Sequence, residues 1–293
     1  MDVSNLSMDS TLLARLEQLK LNTRNRVRGK MQGKRRAEQM GSSLDFADYR
    51  LYSPGDDVRQ LDWNAYGRTG KPFIKLFLDE QELQVNLYID CSKSMDFDNK
   101  FLYARQLAAS IGYIALAGYD RVSTHFFSDQ VNASLPPIRG KGSFHRFLQF
   151  ISKEIPRNKG DISKAILNPG AIPKKPGVTW IFSDFLYETG IEETISYLSA
   201  AGQQVVVVQI LSPIEIKPNL SGDLQLIDSE SHLGKEVAMS AKVLKMYEKE
   251  LNSYTESLKK YCFDHLTDYF LVNTEKTISE TVFQSFRASG ILQ

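Results

Sequence analysis

Val85-Asn86-Leu87-Tyr88-Ile89-Asp90-Cys91-Ser92-Lys93-Ser94 is the stretch whose reading decides the fold. Val85 to Ile89 reads as a core strand, and Asp-x-Ser-x-Ser follows at its C-terminal tip. One carboxylate and two hydroxyls at alternate positions can converge on a small hard cation, which takes oxygen ligands and keeps water on its open positions. A cation held by Asp90, Ser92 and Ser94 could accept a carboxylate from another protein as its last ligand. Asp and Ser are also favoured where a helix starts after a strand, so the same residues can serve as caps.

Downstream, the chain alternates strands and helices. A helix is predicted over Lys100 to Gly118, strands over Arg121 to Phe127 and Val131 to Leu135, and a helix over Phe144 to Glu154. A strand over Val178 to Phe182 ends at Ser183-Asp184. A helix over Ile191 to Ala201 and a very apolar strand over Gln204 to Leu211 follow. This pattern predicts an α/β fold with a mostly parallel, doubly wound sheet and helices on both faces. Open sheets of this kind place ligands at the carboxyl ends of the strands. Asp184 then joins Asp90 at the same edge, and the two acids can share a divalent cation, Mg²⁺ or Mn²⁺. Leu224–Asp228 and Glu236–Met239 read as a polar hairpin, Ala241 to Phe263 as a long amphipathic helix, Asp268 to Val272 as a last strand and Ile278 to Ala288 as a final helix.

Upstream, leucines at 12, 13, 16, 19 and 21 form a helical stripe. Lys20 to Arg36 carries eight basic residues and no acid. Such an arm could neutralise phosphates, although no aromatics are interleaved for base stacking. Leu44 to Phe77 alternates short apolar pieces with turn signals, and strands are predicted at Phe46–Leu51, Val58–Trp63 and Phe73–Leu78. Ser53-Pro54-Gly55-Asp56 suits a type II turn. Arg59 is expected to pair with Asp62, with Arg50 and Arg68 beside them, and Trp63 is expected to anchor this small unit. The division predicted is an N-terminal helix and basic arm (1–43), a β-rich subdomain (44–80) completed by the hairpin at 222–240, and an α/β domain (81–293).

The 293 residues carry a net charge of +1, with 42% hydrophobic and 24% charged residues. Nothing in this balance creates a global field for nucleic acid or anionic lipid. The start has neither the basic nor the apolar part of a secretion signal, no apolar run is long enough to span a bilayer, and two distant cysteines suggest no disulfide framework. These features predict a reduced, cytoplasmic protein. His125, His145, His232 and His265 fall in no metal-ligand spacing. Neither a nucleophile elbow nor a phosphate loop is present, so no enzyme is predicted. Cys91 and Cys262 read as packing residues.

Val85 to Met95 resembles the start of a von Willebrand factor A domain, whose metal-ion-dependent adhesion site uses Asp-x-Ser-x-Ser, a Thr from a later loop and an Asp from a later strand end. Phe46-Ala47-Asp48-Tyr49-Arg50, Tyr52 to Trp63 with its Pro-Gly-Asp-x-x-Arg-x-x-Asp-Trp run, Arg68, Ser183-Asp184-Phe185 and Asp228-Ser229-Glu230 are similar to the bacterial family called domain of unknown function 58. The resemblance spans roughly Arg28 to Leu292. It implies a non-enzymatic protein-interaction module with metal ligands Asp90, Ser92, Ser94 and Asp184. It also implies an adaptor role with a MoxR-type AAA+ ATPase, whose genes commonly neighbour those of the family. One departure stands out. Gly160, in Gly160-Asp161-Ile162-Ser163, occupies the place of the Thr; Asp161, Ser163 or a water would have to substitute. The alternatives are a metal-assisted hydrolase using Asp90 and Asp184, and nucleic-acid binding through Lys20–Arg36.

Overall fold

The computed structural model describes residues 6, 8–23, 45–78, 82–157, 159–168, 170, 172–187, 189–218, 222–227 and 234–293. Most of the basic segment, from Arg24 to Arg36, and the Asp228-Ser229-Glu230 motif lie outside them. The chain divides into two compact units, Met1–Asn25 with Leu83–Gln293, and Arg26–Glu82.

In chain order the elements are α1 (Ser10–Leu16), β1 (Asp45–Leu51), α2 (Trp63–Thr69), β2 (Phe73–Leu78), β3 (Gln84–Asp90), α3 (Lys100–Ala117), β4 (Arg121–Phe127), β5 (Val131–Arg139), α4 (Phe144–Lys153) and α5 (Ile162–Ile166). After them come β6 (Gly177–Ser183), α6 (Ile191–Ala200), β7 (Gln203–Leu211), α7 (Pro213–Ile216), β8 (Gly222–Ile227), β9 (Gly234–Met239), α8 (Ala241–Asp264), β10 (Asp268–Asn273) and α9 (Ile278–Glu280). A π-helical segment, Thr281–Phe286, continues α9.

The larger unit is built on a six-stranded sheet in the order β10-β7-β6-β3-β4-β5. Every neighbouring pair is parallel except β4 with the edge strand β5. This is the doubly wound, von Willebrand A-like α/β fold that the sequence predicts. Its two faces follow from the period-2 alternation of strand side chains. Val85, Leu87 and Ile89 face one apolar layer with Trp180, Phe182, Val206 and Val208, covered by α1, α3, α4 and the C-terminal segment. Tyr88, Ile181, Val205 and Val207 face the other layer, covered by α5, α6 and α8. Each fully buried large apolar side chain contributes about 1.5–3 kcal/mol, so these two layers dominate the stability. Leu16, Leu19 and Leu21 of the predicted leucine stripe are buried in the first layer, and Leu21 bridges Leu292.

From β3 the chain adds β4 and β5 outward on one flank, then returns past β3 and adds β6, β7 and β10 outward on the other. The strand order therefore reverses between β3 and β6. A crevice opens at the carboxyl ends of strands at such a switch point. β8 and β9 pair with each other as a separate antiparallel sheet.

The smaller unit departs from expectation. β1 pairs antiparallel with β2, and Gly55, at φ +104°, forms the expected turn, closed by the Asp56 N–H to Ser53 O bond of 3.0 Å. Val58–Trp63, however, is not a strand. Val58–Gln60 is a 3₁₀ turn capped by Asp57, Leu61 makes a single bridge to Ile74, and Trp63 opens α2. Two aspartates placed just before these segments accept their free N–H groups, and this capping outweighs the β propensity of Val58 and Trp63. Trp63 is 65% exposed and does not anchor the unit; among the described residues, Ile74 and Ala65 are its buried apolar side chains. Arg59 does not pair with Asp62. Arg50 binds Asp56 at 2.9 Å, and Asp62 binds Lys75 at 3.3 Å.

Candidate functional site at the carboxyl edge of the sheet

Three loops meet where β3 and β6 end. The first leaves β3 through Asp90 and Ser92 into a 3₁₀ turn, Lys93–Asn99. The second links α4 to α5. It is stitched to the first by the Arg157 N–H, which donates to Cys91 O at 2.8 Å, and to the end of β4 by the Asp161 N–H, which donates to Ser128 O at 3.0 Å. The third leaves β6 through Ser183, Asp184, Phe185 and Tyr187. Phe185 is buried with φ +54°. A left-handed conformation costs a bulky residue roughly 1–2 kcal/mol, and here it turns the chain just before Tyr187.

Asp90 is wholly buried. Its Oδ1 accepts the Ser92 N–H at 2.7 Å, and its Oδ2 accepts the Ser183 hydroxyl at 2.7 Å and the Tyr187 hydroxyl. Ser183 and Tyr187 are also within hydrogen-bond reach of each other at 3.1 Å. Ser92 and Ser94 pair their hydroxyls at 3.0 Å. Burial pushes the Asp90 carboxyl up to about 6; the negative charge of Asp184 adds to this, and the bonds from Ser183, Tyr187 and Ser92 pull it partly back. Burial likewise raises the Tyr187 phenol well above its ordinary value, and the charges of Asp90 and Asp184 raise it further. The Tyr187 hydroxyl therefore remains a donor at neutral pH.

Asp184 has a different environment. Its Oδ2 accepts the Lys100 ammonium at 2.8 Å, and its Oδ1 accepts the Leu186 N–H at 3.2 Å. Lys100, at the start of α3, is 1% exposed and also donates to Glu215 Oε1 at 2.6 Å. Glu215 is held by the capping box at the start of α7, where its Oε2 accepts the Ser212 N–H at 2.8 Å. Burial pulls the Lys100 ammonium down, but the carboxylates of Asp184 and Glu215 outweigh it and hold it above its ordinary value. Lys100 is therefore protonated at neutral pH.

The structure thus gathers Asp90, Ser92, Ser94 and Asp184 at one rim. Asp161 and Ser163 are engaged with α5 instead. Asp161 Oδ1 caps that helix through the Lys164 N–H at 3.0 Å and accepts the Ser163 hydroxyl at 3.1 Å. Gly160 packs against the site itself. A Cβ there would lie 2.6 Å from Tyr187 Cε1 and 3.1 Å from Ser92 Cβ. Cys91 packs beneath, accepting from Asn132 at 3.1 Å, and burial pushes its thiol up to about 12. Sequence reasoning does not reach Tyr187, Lys100, Ser183 or Glu215 as members of the site. Lys100 has one local signal, as a cation at the first position of a mostly apolar helix, and Tyr187 has one in the missing side chain at Gly160.

The donor set does not fit a divalent cation as it stands. The oxygens of Asp90 are engaged by three donors, and Asp184 by an ammonium. Among the described residues, no group of three or more His, Cys, Asp or Glu side chains converges in a way that could hold a metal ion. Among them also, no helix is long and apolar enough to cross a membrane.

The family model described as "Protein of unknown function DUF58" matches residues 48–256. The uncharacterized proteins Rv1480 of Mycobacterium tuberculosis and Mb1516 of Mycobacterium bovis are each 28% identical over 238 residues, covering 79% of this chain and 75% of theirs. Among solved structures, the chain is similar to the conserved hypothetical protein BatB from Bacteroides thetaiotaomicron, with a TM-score of 0.44 at 16% identity over 71% of this chain and 98% of that one. It is also similar to the SpRpn10 VWA domain, with a TM-score of 0.35 at 11% identity over 70% and 96%. With more than half of its length matched by the family model, the chain belongs to the DUF58 family.

Proposed function

We propose that this DUF58 protein is a non-catalytic, cytoplasmic interaction module that engages its partner from the rim of its sheet. The partner implied by the family resemblance is a MoxR-type AAA+ ATPase. A fold alone does not fix a function, so the reading rests on the site. Its main support is the convergence of three loops, from β3, from the α4–α5 link and from β6, at the switch point of a von Willebrand A-like sheet, where such sheets bind. Two exposed apolar residues flank that convergence, Phe97 after the Asp90 loop and Leu186 after Asp184. The interior of the site favours binding over chemistry. Asp90 lies beneath Tyr187 and Asp184 is ion-paired, so neither carboxylate faces a substrate. The reading does not require a divalent cation.

The test is biolayer interferometry of the purified chain against the MoxR-type ATPase of its own organism, with and without ATP. Saturable binding is expected, and it should be lost in the folded double variant Phe97→Asp/Leu186→Asp. No binding in any nucleotide state, or binding that the double variant leaves intact, would overturn the proposal.

A further inference from the structure

We propose that Tyr187 is the resident ligand of the Asp-x-Ser-x-Ser site, that Gly160 is the residue that admits it, and that the rim is therefore built to work without a divalent metal. The inference concerns the interior of the site and stands whether or not the partner is the ATPase named above.

Three observations carry it. The Tyr187 hydroxyl reaches both Asp90 and Ser183 and occupies Asp90 Oδ2, an oxygen that a bound ion or its water would compete for. Its ring lies where a side chain at position 160 would project: a Cβ there would sit 2.6 Å from Tyr187 Cε1, closer than real Cβ contacts come. A Thr at 160 and a Tyr at 187 thus exclude each other in this geometry, and the loss of one hydroxyl ligand coincides with the arrival of another donor. Finally, the second strand-end acid already has its cation in the Lys100 ammonium, 2.8 Å from Asp184 and 2.6 Å from Glu215. A divalent ion would have to displace a phenol and approach a fixed positive charge.

Coupling also follows in the other direction. If Tyr187 holds the site shut, removing its ring and restoring the Thr should reopen the oxygen set of Asp90, Ser92 and Ser94. Mg²⁺ and Mn²⁺ need several such oxygens at short range, and a hydroxyl regained at position 160 supplies one.

The experiment is calorimetric titration of the EDTA-treated full chain with MnCl₂. It compares the wild type, Asp90→Asn, and the double variant Gly160→Thr/Tyr187→Ala, with circular dichroism melts to confirm folding. The wild type should show no saturable heat that Asp90→Asn removes. The folded double variant should bind Mn²⁺ at least about tenfold more tightly than the wild type, the scale on which metal sites respond to changes among their surrounding groups. Saturable wild-type binding that Asp90→Asn abolishes would overturn the proposal, as would a folded double variant that binds no better than the wild type. Should the double variant not fold, Tyr187→Ala alone carries the same comparison, and the same two results would overturn the proposal. These readouts are independent of partner binding. A failure here leaves the interaction module standing, and a failure of the interferometry leaves the tyrosine in place.

Discussion

Asp90 of the larger unit and Asp62 of the smaller one are bound alike and behave oppositely. Each accepts the amide two residues on, Ser92 N–H at 2.7 Å and Asn64 N–H at 2.9 Å. Each also accepts a tyrosine hydroxyl, from Tyr187 and from Tyr49. Yet the Asp62 carboxyl is held down at about 2, by the Ala65 N–H first, then by Tyr49 and by Lys75. Asp90 is pushed up to about 6 by burial and by the charge of Asp184. The shared amide and tyrosine bonds do not fix the outcome alone: at Asp62 they win over burial together with the Ala65 N–H and Lys75, whereas at Asp90 burial and the charge of Asp184 outweigh them. Asp62 has a lysine beside it and works as a helix cap. Asp90 has a second acid beside it, and the lysine of that cluster serves the second acid instead. The first is a structural carboxylate, the second a carboxyl held in place by its surroundings.

That contrast can be broken at the lysine of the rim, and this should give the largest effect. Lys100→Met leaves Asp184 and Glu215 buried without a counter-charge, and urea denaturation at pH 7 should show a loss of about 3–5 kcal/mol. A smaller loss, about 1–3 kcal/mol, is expected for Gly160→Ala, because the new methyl overlaps the Tyr187 ring in a packed site. Tyrosine fluorescence or aromatic NMR should report Tyr187 displaced in that variant. At the other carboxylate, Asp62→Ala should unfold the small unit selectively, seen as protease cleavage within residues 45–78 while the sheet of the larger unit stays protected. In the wild type, the lowered value of Asp62 means that its stabilising contribution is present above its ordinary value of 3.8 and is lost as pH falls towards about 2. The small unit should therefore become protease-sensitive over that acid window.

Asp90→Asn should have the smallest effect at pH 7, within about 1 kcal/mol of the wild type, since the amide keeps the shape and removes a charge that burial disfavours. Its signature is the pH profile. With a raised value, Asp90 contributes stability that is complete below 3.8 and is lost as pH rises through about 6. Thermal melts of the wild type should lose ground to Asp90→Asn across that interval. A parallel profile for the two proteins would show that Asp90 and Asp62 do not differ as described.

The sheet is legible in the sequence because it rests on a local, repeating signal. Apolar runs such as Val85–Ile89 and Gln204–Leu211 fit only strands buried on both faces, and their ends place Asp90, Ser183 and Asp184 at one edge whatever the loops do. The small unit is less legible. Val58 and Trp63 favour strands by propensity, but Asp57 and Asp62 spend their side chains capping the turns that follow, and a cap is weak in a sequence scan compared with an apolar run. The rim is half legible. Its oxygen ligands sit in a contiguous motif, whereas the groups that engage them come from far along the chain. Tyr187 is 97 residues from Asp90, Lys100 is 84 from Asp184 and 115 from Glu215. No spacing rule links such positions. Gly160 reads in the sequence as a missing ligand, and only the packing of Tyr187 against it gives the absence a purpose.

The most direct measurement is a crystal structure of the wild-type protein grown with excess Mn²⁺, with diffraction data collected at the manganese absorption edge. If Tyr187 is the resident ligand, no anomalous peak will lie among Asp90, Ser92 and Ser94, and electron density will place the Tyr187 hydroxyl on Asp90. A manganese peak bonded to those oxygens, with Tyr187 swung away, would show that the rim is a metal site after all.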